Sequence, residues 1–451
     1  MQFEVSKEFL DFIKTAVAEQ NEAVLHEQLN ELPAVDIEVI LGELSKKEVD
    51  YIIDLLPTEL SADIISHFDD DEVKIVLADL DAQGIAEYIE SMDSDDAADI
   101  LNEQTFERKE EILSHIKDTE FVGNLLDLLR YDEDIAGGLM AKELIKARMD
   151  WTVKQTIEEI RRQAEKVDKV YSVYVVDGLN ALKGRVSIKK LLLAPDQVLV
   201  SEIYDEDLQK VDAFTKDEEV ARIMQRYDLV AIPVVNFQNK LIGRITIDDV
   251  IDVVTEQAEL ERQIMSGISQ DVEYDSSFLD SIKARLPWLL IGMGGGLLGA
   301  KLISLFENEL TVIPALAFFI PLITATGGNV GIQSSSIVVQ DLAEDSSVRR
   351  KILLTCMRST FTGVLNGLII ATFVFLVTWF VTDTDVHLAS TVAIALFSVV
   401  VLASLMGTAT PLILDKFGIN PAVASGPFIT TTNDLVGILV YFSVAYSLLL
   451  P

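Results

Sequence analysis

Hydrophobic and polar positions follow two different patterns along this chain, and the change comes near residue 285. Beyond it five long apolar stretches follow one another, roughly 286–306, 311–340, 352–382, 388–414 and 421–450. A helix needs about 20 apolar residues to cross a bilayer, so each stretch is long enough. The pattern predicts an α-helical transmembrane domain with five spans over residues 283–451.

The first 130 residues instead show short amphipathic helical segments with few strand signals. A weak internal repeat supports this interpretation, because residues 55–65 resemble residues 91–101, 36 positions further on. Such an offset is typical of stacked helix pairs, and it makes Asp63 and Asp99 equivalent. We therefore predict an acidic all-α helical-repeat domain over residues 1–130.

Between residues 131 and 254 strands and helices alternate. The order helix, strand, turn, strand, helix occurs twice, which resembles a tandem pair of α/β CBS domains. Residues 255–282 then read as one or two acidic amphipathic helices. A linker helix in this place, directly before the first span, could act on the mouth of a pore.

The resemblance to CBS domains implies a weak candidate site for an adenine nucleotide such as ATP. In that family a Thr and the Asp three residues later often contact a ribose, which points here to Thr246 and Asp249, with Arg185 as a further contact. In the first copy Ser187 is followed by Lys190 where the acid would stand. Occupancy of only one of the two sites is therefore an open alternative.

Composition separates the two halves further. The net charge is −37 although 49% of the residues are hydrophobic, and only nine of the 73 acidic residues lie beyond Leu286. A strongly acidic soluble half repels nucleic acid and anionic lipid, and it attracts cations. The single cysteine, Cys356, excludes a disulfide framework.

Charges in the predicted loops indicate an orientation. The basic residues fall on one side of the membrane and the acids on the other: Lys283, Arg285, Arg349, Arg350, Lys351 and Lys416 against Glu307, Glu309, Asp383 and Asp385. By the positive-inside rule the first 285 residues are cytoplasmic and the C-terminus is outside.

Two polar features inside the spans are candidates for an ion pathway. Asp434 falls about 13 residues into the last span, where a carboxylate is costly and usually functional. The alternative is an ion pair with a basic residue of another helix. The second span carries the stretch 321–336, which contains three glycines, Gly327, Gly328 and Gly331, together with Asn329 and Gln333. We expect irregular backbone there, lining a water-filled cavity, rather than close helix packing.

The order helical repeat, CBS pair, linker and five spans resembles the MgtE family of magnesium transporters and channels. Four sequence segments carry the likeness, which covers nearly the whole chain: YDEDIAGGLM at 131–140, RLPWLL at 285–290, PLITATGGNVGIQSS at 321–335 and PFITTTNDLVGILVY at 427–441.

This resemblance implies a homodimer in the cytoplasmic membrane, with a pore lined by spans two and five. Asp434 would bind hydrated Mg²⁺, and the ion pathway would further include Gly328, Asn329, Gln333, Gly426 and Thr430. High cytoplasmic Mg²⁺ would bridge acids of the soluble domains and close the pore. The matching acids are Asp63, Asp95, Asp99, Glu218, Asp228, Asp249 and Asp252.

The chain departs from the family pattern at several positions. Asn420 replaces an acid before span five, and Gly426 stands where a side-chain amide can occur. Lys216 and Gln257 stand where acids can occur in the CBS pair and the linker helix. These departures bear on the affinity of individual metal sites.

Other functions are less compatible with the sequence. A carrier for another divalent cation, such as Co²⁺, Mn²⁺ or Ca²⁺, stays open. A P-loop is missing from the sequence, and its four histidines form no H-E-x-x-H motif, so neither an ATP-driven pump nor a metalloprotease is indicated. We expect a protein that is not an enzyme and does not bind nucleic acid.

Overall fold

The computed structural model describes residues 6–163, 170–269, 278–344, 352–380, 385–424 and 426–449. The chain divides into two compact units, 1–254 and 255–451, and each is described by itself. Arg349, Arg350, Lys351 and Asp383, which contribute to the predicted orientation, lie outside the described residues, as does the segment 270–277 of the linker.

The first unit begins with ten short helices. They are α1 Lys7–Ala18, α2 Glu22–Leu29, α3 Ala34–Leu41, α4 Lys46–Leu55, α5 Thr58–Ile65, α6 Asp70–Leu77, α7 Ala82–Ile89, α8 Ser94–Asn102, α9 Phe106–His115 and α10 Thr119–Leu128. Side chains cap several of them; the Asp81 carboxylate, for example, accepts from the Gly84 N–H at 2.8 Å.

Successive helices in this unit begin about 12 residues apart, and alternate helices pack together: α3 on α5, α5 on α7 and α7 on α9. The predicted offset of 36 residues correctly aligns α5 with α8. It spans three helices, however, so the repeating step is one short helix rather than a 36-residue helix pair. The buried stripe of each helix, such as Ile64 and Ile65, joins one continuous core.

Two small sheets follow, each part of a repeated unit. The first has strands β1 Ile145–Arg148, β2 Val173–Val176 and β3 Leu182–Val186, with helices α11 Val153–Gln163 and α12 Ile188–Leu193. The second has β4 Val211–Asp212, β5 Ala231–Val235 and β6 Leu241–Thr246, with α13 Asp217–Arg226 and α14 Ile247–Met265. In both, the first two strands are parallel and the last two antiparallel, as expected for tandem CBS domains.

The two repeats join through their hairpin turns. Asn180 and Asn239 both have positive φ angles, which asparagine tolerates better than most residues. The Leu182 N–H donates to the Asn239 carbonyl at 2.9 Å, and the Leu241 N–H donates to the Asn180 carbonyl at 3.1 Å. This reciprocal pairing gives the CBS pair its internal pseudo-symmetry.

The second unit is helical. Its helices are α15 Phe278–Leu305, α16 Glu307–Val312, α17 Ile320–Glu344, α18 Ile352–Phe380, α19 Val386–Lys416 and α20 Pro427–Leu449. Within the described residues five segments are long and apolar enough to cross a membrane: Phe278–Leu305, Pro314–Leu342, Ile352–Phe380, Val386–Lys416 and Pro421–Leu449. The expected five spans are confirmed. The first begins eight residues early, because FLDSIKAR continues the helix beyond the apolar stretch.

One expectation about the second span is wrong. Helix α17 runs without interruption through the three glycines at 327–331, so its backbone carbonyls stay in the helix. The irregular backbone lies before it instead, in a 3-10 turn at Pro314–Phe319. The Tyr441 hydroxyl donates to the Leu316 carbonyl there at 2.9 Å, which satisfies one carbonyl of that turn inside the apolar core.

Candidate ion pathway and acid cluster

The glycines of α17 allow α20 to approach closely. A Cβ atom on Gly328 would lie 3.1 Å from Thr430 Cγ2 and 3.7 Å from Asp434 Oδ1. The missing side chain thus leaves room for the predicted carboxylate, which is half-buried. These glycines thus permit close helix packing, which the sequence offered as the alternative.

Asn329 and Gln333 are placed differently. Both are exposed, and they lie four residues apart on α17, so they share one face of the helix. Gly327, Gly328 and Gly331 are buried. Of the predicted pathway residues, the structure therefore brings Gly328, Thr430 and Asp434 together, while the two amides face away from that contact.

The first turn of α20 meets the end of α14, which runs from the second repeat into the predicted linker and is called the linker helix below. The Thr430 hydroxyl donates to the Gly426 carbonyl at 2.9 Å. Gly426 has a φ of +57°, and a Cβ atom there would overlap the Met265 carbonyl oxygen. Gly267, with a φ of +82°, would bring a Cβ atom to 2.7 Å from Pro427 Cγ. Only glycine fits both positions at this reciprocal contact.

Asn433 is a residue that the sequence reasoning missed. It is 2% exposed, and its side-chain amide lies against Gly331, where a Cβ atom would overlap it. Its position next to Asp434 in the NDLVG segment was the available signal. Its burial, however, depends on the helix rotation, which the sequence does not show.

The first unit collects carboxylates around the beginning of α8. We call this set the acid cluster: Asp63, Asp93, Asp95, Asp96, Glu143, Asp248 and Asp249. Burial raises the pKa of the Asp95 carboxyl well above its usual range, and the charge of Asp249 raises it further. Burial, with Asp249 next, raises the pKa of Asp96 to about 7. Like charges held in a buried place favour binding of a cation.

Hydrogen bonds hold α8 at this position. The Ser94 hydroxyl donates to Glu143 Oε2 at 2.7 Å and accepts from the Lys142 N–H at 2.8 Å. Lys142 in turn donates to Asp127 on α10 at 2.6 Å. The start of α8 is thereby fixed to the segment that leads into β1, which brings Glu143 into the cluster.

The predicted metal-binding acids divide into two sets. Asp63, Asp95 and Asp249 belong to the acid cluster, and Asp252 lies beside it, where burial and then the charge of Asp248 raise its pKa. Asp99, Glu218 and Asp228 are exposed, as Asp63 and Asp252 also are. None of these three is among the charges with the largest effect on Asp95 or Asp96. Asp93, Asp96 and Asp248 adjoin the predicted acids along the chain, whereas Glu143 joins through its contact with Ser94.

The cluster is not a closed coordination site. Over the part of the chain that the structure describes, no three His, Cys, Asp or Glu side chains are grouped to hold one metal ion. The donor set nevertheless fits Mg²⁺, which takes oxygen ligands and usually keeps several of its waters. A Mg²⁺ ion that is bound through its water shell does not require three carboxylates in direct contact with the metal.

At the departures from the family pattern, other contacts form. Lys216, which stands where the family can have an acid, donates a hydrogen bond to Asp134 and so neutralises that carboxylate. Gln257 donates to Glu261 one turn further along α14 at 3.1 Å.

The candidate nucleotide residues differ between the two repeats. The Thr246 N–H and hydroxyl both donate to Asp249 Oδ2, at 2.9 and 2.7 Å. Lys190, at the equivalent place in the first repeat, pairs with Asp205 at 2.5 Å. The backbones of Arg185 and Asp205 exchange hydrogen bonds of 3.0 and 2.7 Å.

Arg244 also lies in this region, although the sequence reasoning named only its counterpart Arg185. It is buried, and its guanidinium stands 5.5 Å from the centre of the Tyr171 ring. The same guanidinium lies 3.9 Å from the Asp93 carboxylate, so the acid cluster has a positive neighbour.

A cation-attracting soluble unit with CBS repeats, together with five spans and a half-buried carboxylate, defines a multi-pass membrane transporter for cations. Family models match over residues 320–444 (MgtE, divalent cation transporter), 32–134 (MgtE intracellular N domain) and 200–256 (CBS domain). The chain belongs to the MgtE family of magnesium transporters.

Individual relatives agree along most of the chain. The magnesium transporter MgtE of Thermus thermophilus is 31% identical over 97% of this chain and 98% of its own. That of Bacillus subtilis is 30% identical over 92% of both chains. The solved cytosolic domain of the Mg²⁺ channel MgtE in complex with ATP is 32% identical, covers 54% of this chain and 99% of its own, and has a TM-score of 0.52.

Proposed function

We propose that this protein conducts Mg²⁺ across the cytoplasmic membrane through a homodimeric pore that cytoplasmic Mg²⁺ closes. The observation that carries the proposal is the contact between Asp434 and the glycine face of α17, 3.7 Å from the Gly328 Cβ position. A half-buried carboxylate between two membrane helices has a high cost unless a cation uses it.

The same proposal includes the arrangement expected from the sequence. The domain limits are 1–130, 131–254, 255–282 and 283–451, the soluble domains are cytoplasmic and the C-terminus is outside. In the proposed dimer, two copies would place two Asp434 carboxylates around one axis. Carboxylates suit Mg²⁺ with its water shell retained.

Closure would follow from the acid cluster. Without a divalent cation the buried acids repel one another, and this repulsion disfavours their close arrangement. A cation that binds the close arrangement better shifts the population towards it. The linker helix α14 would connect the acid cluster to span five. It carries Asp249 in its first turn, and its last residue, Met265, contacts Gly426 just before α20.

Uptake into proteoliposomes tests this function. The purified full chain should carry Mg²⁺ into vesicles that contain little Mg²⁺, and the rate should fall when millimolar Mg²⁺ is present on the side of the soluble domains. Protein-free vesicles are the control. Uptake no faster than in those vesicles would refute Mg²⁺ transport, and a rate that ignores Mg²⁺ on the soluble side would refute the gating.

The alternative is a pathway for another divalent cation. The matched family model is described as a divalent cation transporter, which supports including Co²⁺, Mn²⁺ and Ca²⁺ in the same assay. Faster uptake of one of these ions than of Mg²⁺ would favour the alternative.

Nucleotide binding is a further part of the proposal, supported by the ATP complex of the related cytosolic domain. We expect ATP to bind the second repeat, and Thr246→Ala to weaken it roughly tenfold, because the hydroxyl holds Asp249 in place. Calorimetric titration of the full chain in detergent would measure this. Ser187→Ala, at the equivalent place in the first repeat, should leave the affinity unchanged. Equal losses in both variants, or no binding by the wild type, would contradict the expectation.

A further inference from the structure

Asn433 is a buried polar side chain beside the candidate pathway, 2% exposed, and its role is not explained by helix formation. It lies on α20 directly before Asp434. We propose that Asn433 is a positioning and specificity-determining residue of the ion pathway, an inference that rests on the proposed function. Three observations support it.

The first observation is a contact among three helices. The Asn433 amide lies where a Cβ atom of Gly331 would be, so α17 and α20 pack directly against each other there. From the other side Gly407 of α19 approaches so closely that its Cβ atom would lie 2.5 Å from the Gly331 carbonyl oxygen. Asn433 therefore fills a junction that admits only glycine on the two facing helices.

The second observation concerns the rotation of α20. Successive residues of an α-helix point about 100° apart. When Asn433 is held at Gly331, the next side chain, Asp434, turns towards Gly328, which is where the structure has it. The Asn433 junction thus sets the direction in which the carboxylate faces.

The third observation is energetic. Within the described residues Asn433 Nδ2 is buried and has no hydrogen-bond partner. A buried amide donor left unbonded destabilises a protein, and a leucine of similar shape would remove that cost. Proteins retain such groups mainly where function needs them. An amide dipole beside Asp434 would act on the hydrated ion as it meets the carboxylate.

The variant Asn433→Leu separates this role from a structural one. Its midpoint of thermal unfolding in detergent should equal or exceed that of the wild type. Its Mg²⁺ uptake should fall roughly tenfold, and its ratio of Mg²⁺ to Co²⁺ uptake should change. The control is Thr432→Val, whose hydroxyl donates within its own helix, to the Phe428 carbonyl at 2.9 Å. It should leave both uptake quantities unchanged. Wild-type uptake and ratio in Asn433→Leu, or a loss that merely accompanies a lower thermal midpoint, would overturn the proposal.

A second measurement tests the contact without transport. Gly331→Ala should lower the thermal midpoint by several degrees, because its Cβ atom overlaps the Asn433 amide. Adding Asn433→Ala should recover most of that loss, whereas adding Thr432→Ala should not. No recovery would overturn the inference. If the wild type itself takes up no Mg²⁺, the proposed function fails, while this double-mutant comparison still decides whether the junction exists.

Discussion

Replacing Asp434 by Asn should reduce Mg²⁺ uptake about 100-fold or more, to the level of protein-free vesicles. The amide has nearly the size of the carboxylate and should preserve the contact of α20 with Gly328. Only the charge is removed, and with it the group that offsets the cost of a divalent cation in a low-dielectric environment. Asp434→Glu keeps the charge but adds a methylene at a tightly packed place, so partial uptake is expected.

The matched control is Glu307→Gln, which removes an exposed acid of the same unit. It should leave uptake close to that of the wild type. Size-exclusion chromatography of each variant in detergent would check that the fold is intact. Uptake by Asp434→Asn at the wild-type rate would show that the pathway lies elsewhere, and an equal loss in both variants would point to a general effect of membrane-unit charge.

Neutralising the acid cluster should abolish the response to cytoplasmic Mg²⁺. In the triple variant Asp95→Asn, Asp96→Asn, Asp249→Asn, both the mutual repulsion and the cation ligands are lost. The close arrangement of the soluble unit then no longer depends on a bound ion. We expect millimolar Mg²⁺ to protect the wild-type soluble unit from protease at least roughly tenfold, and to protect the triple variant hardly at all.

Asp99→Asn is the control for this comparison, because Asp99 lies on α8 with Asp95 and Asp96 but is exposed. It removes the same charge from the same helix and should retain the full Mg²⁺ response. If it behaves like the triple variant, the response follows total charge rather than the buried acids. If the wild type shows no protection by Mg²⁺, the sensor role is refuted.

The membrane spans could be predicted well because the requirement is one-dimensional. A bilayer demands an apolar length, and the stretch expected at 352–382 corresponds to the helix Ile352–Phe380. The glycines of α17 were harder to interpret. Glycine weakens an isolated helix, but the neighbouring Thr430 and Asn433 use the space it leaves, and this packing keeps the helix continuous.

Tertiary packing limited the prediction of the candidate sites even more than that of the glycines. Asp95 and Asp249 were predicted, since the family resemblance points to them. Glu143 was not, because its place depends on how the segment before β1 is tied to α8 through Ser94. Such tertiary contacts join residues about 49 positions apart and leave no periodic signal in the sequence. Exposure likewise separates Asp99 from Asp95 only once the helices are stacked.

The meeting of Gly267 and Gly426 restricts which sequences this fold accepts. A Cβ atom at position 426 would overlap the Met265 carbonyl oxygen. A Cβ atom at position 267 would overlap the Pro427 ring. A family member that carries a side-chain amide at the position of Gly426 cannot end its linker helix in the same place. The residue at position 426 and the length of the linker helix should therefore vary together among homologues. Exchanging one of them between homologues without the other should disrupt the packing of α14 against α20.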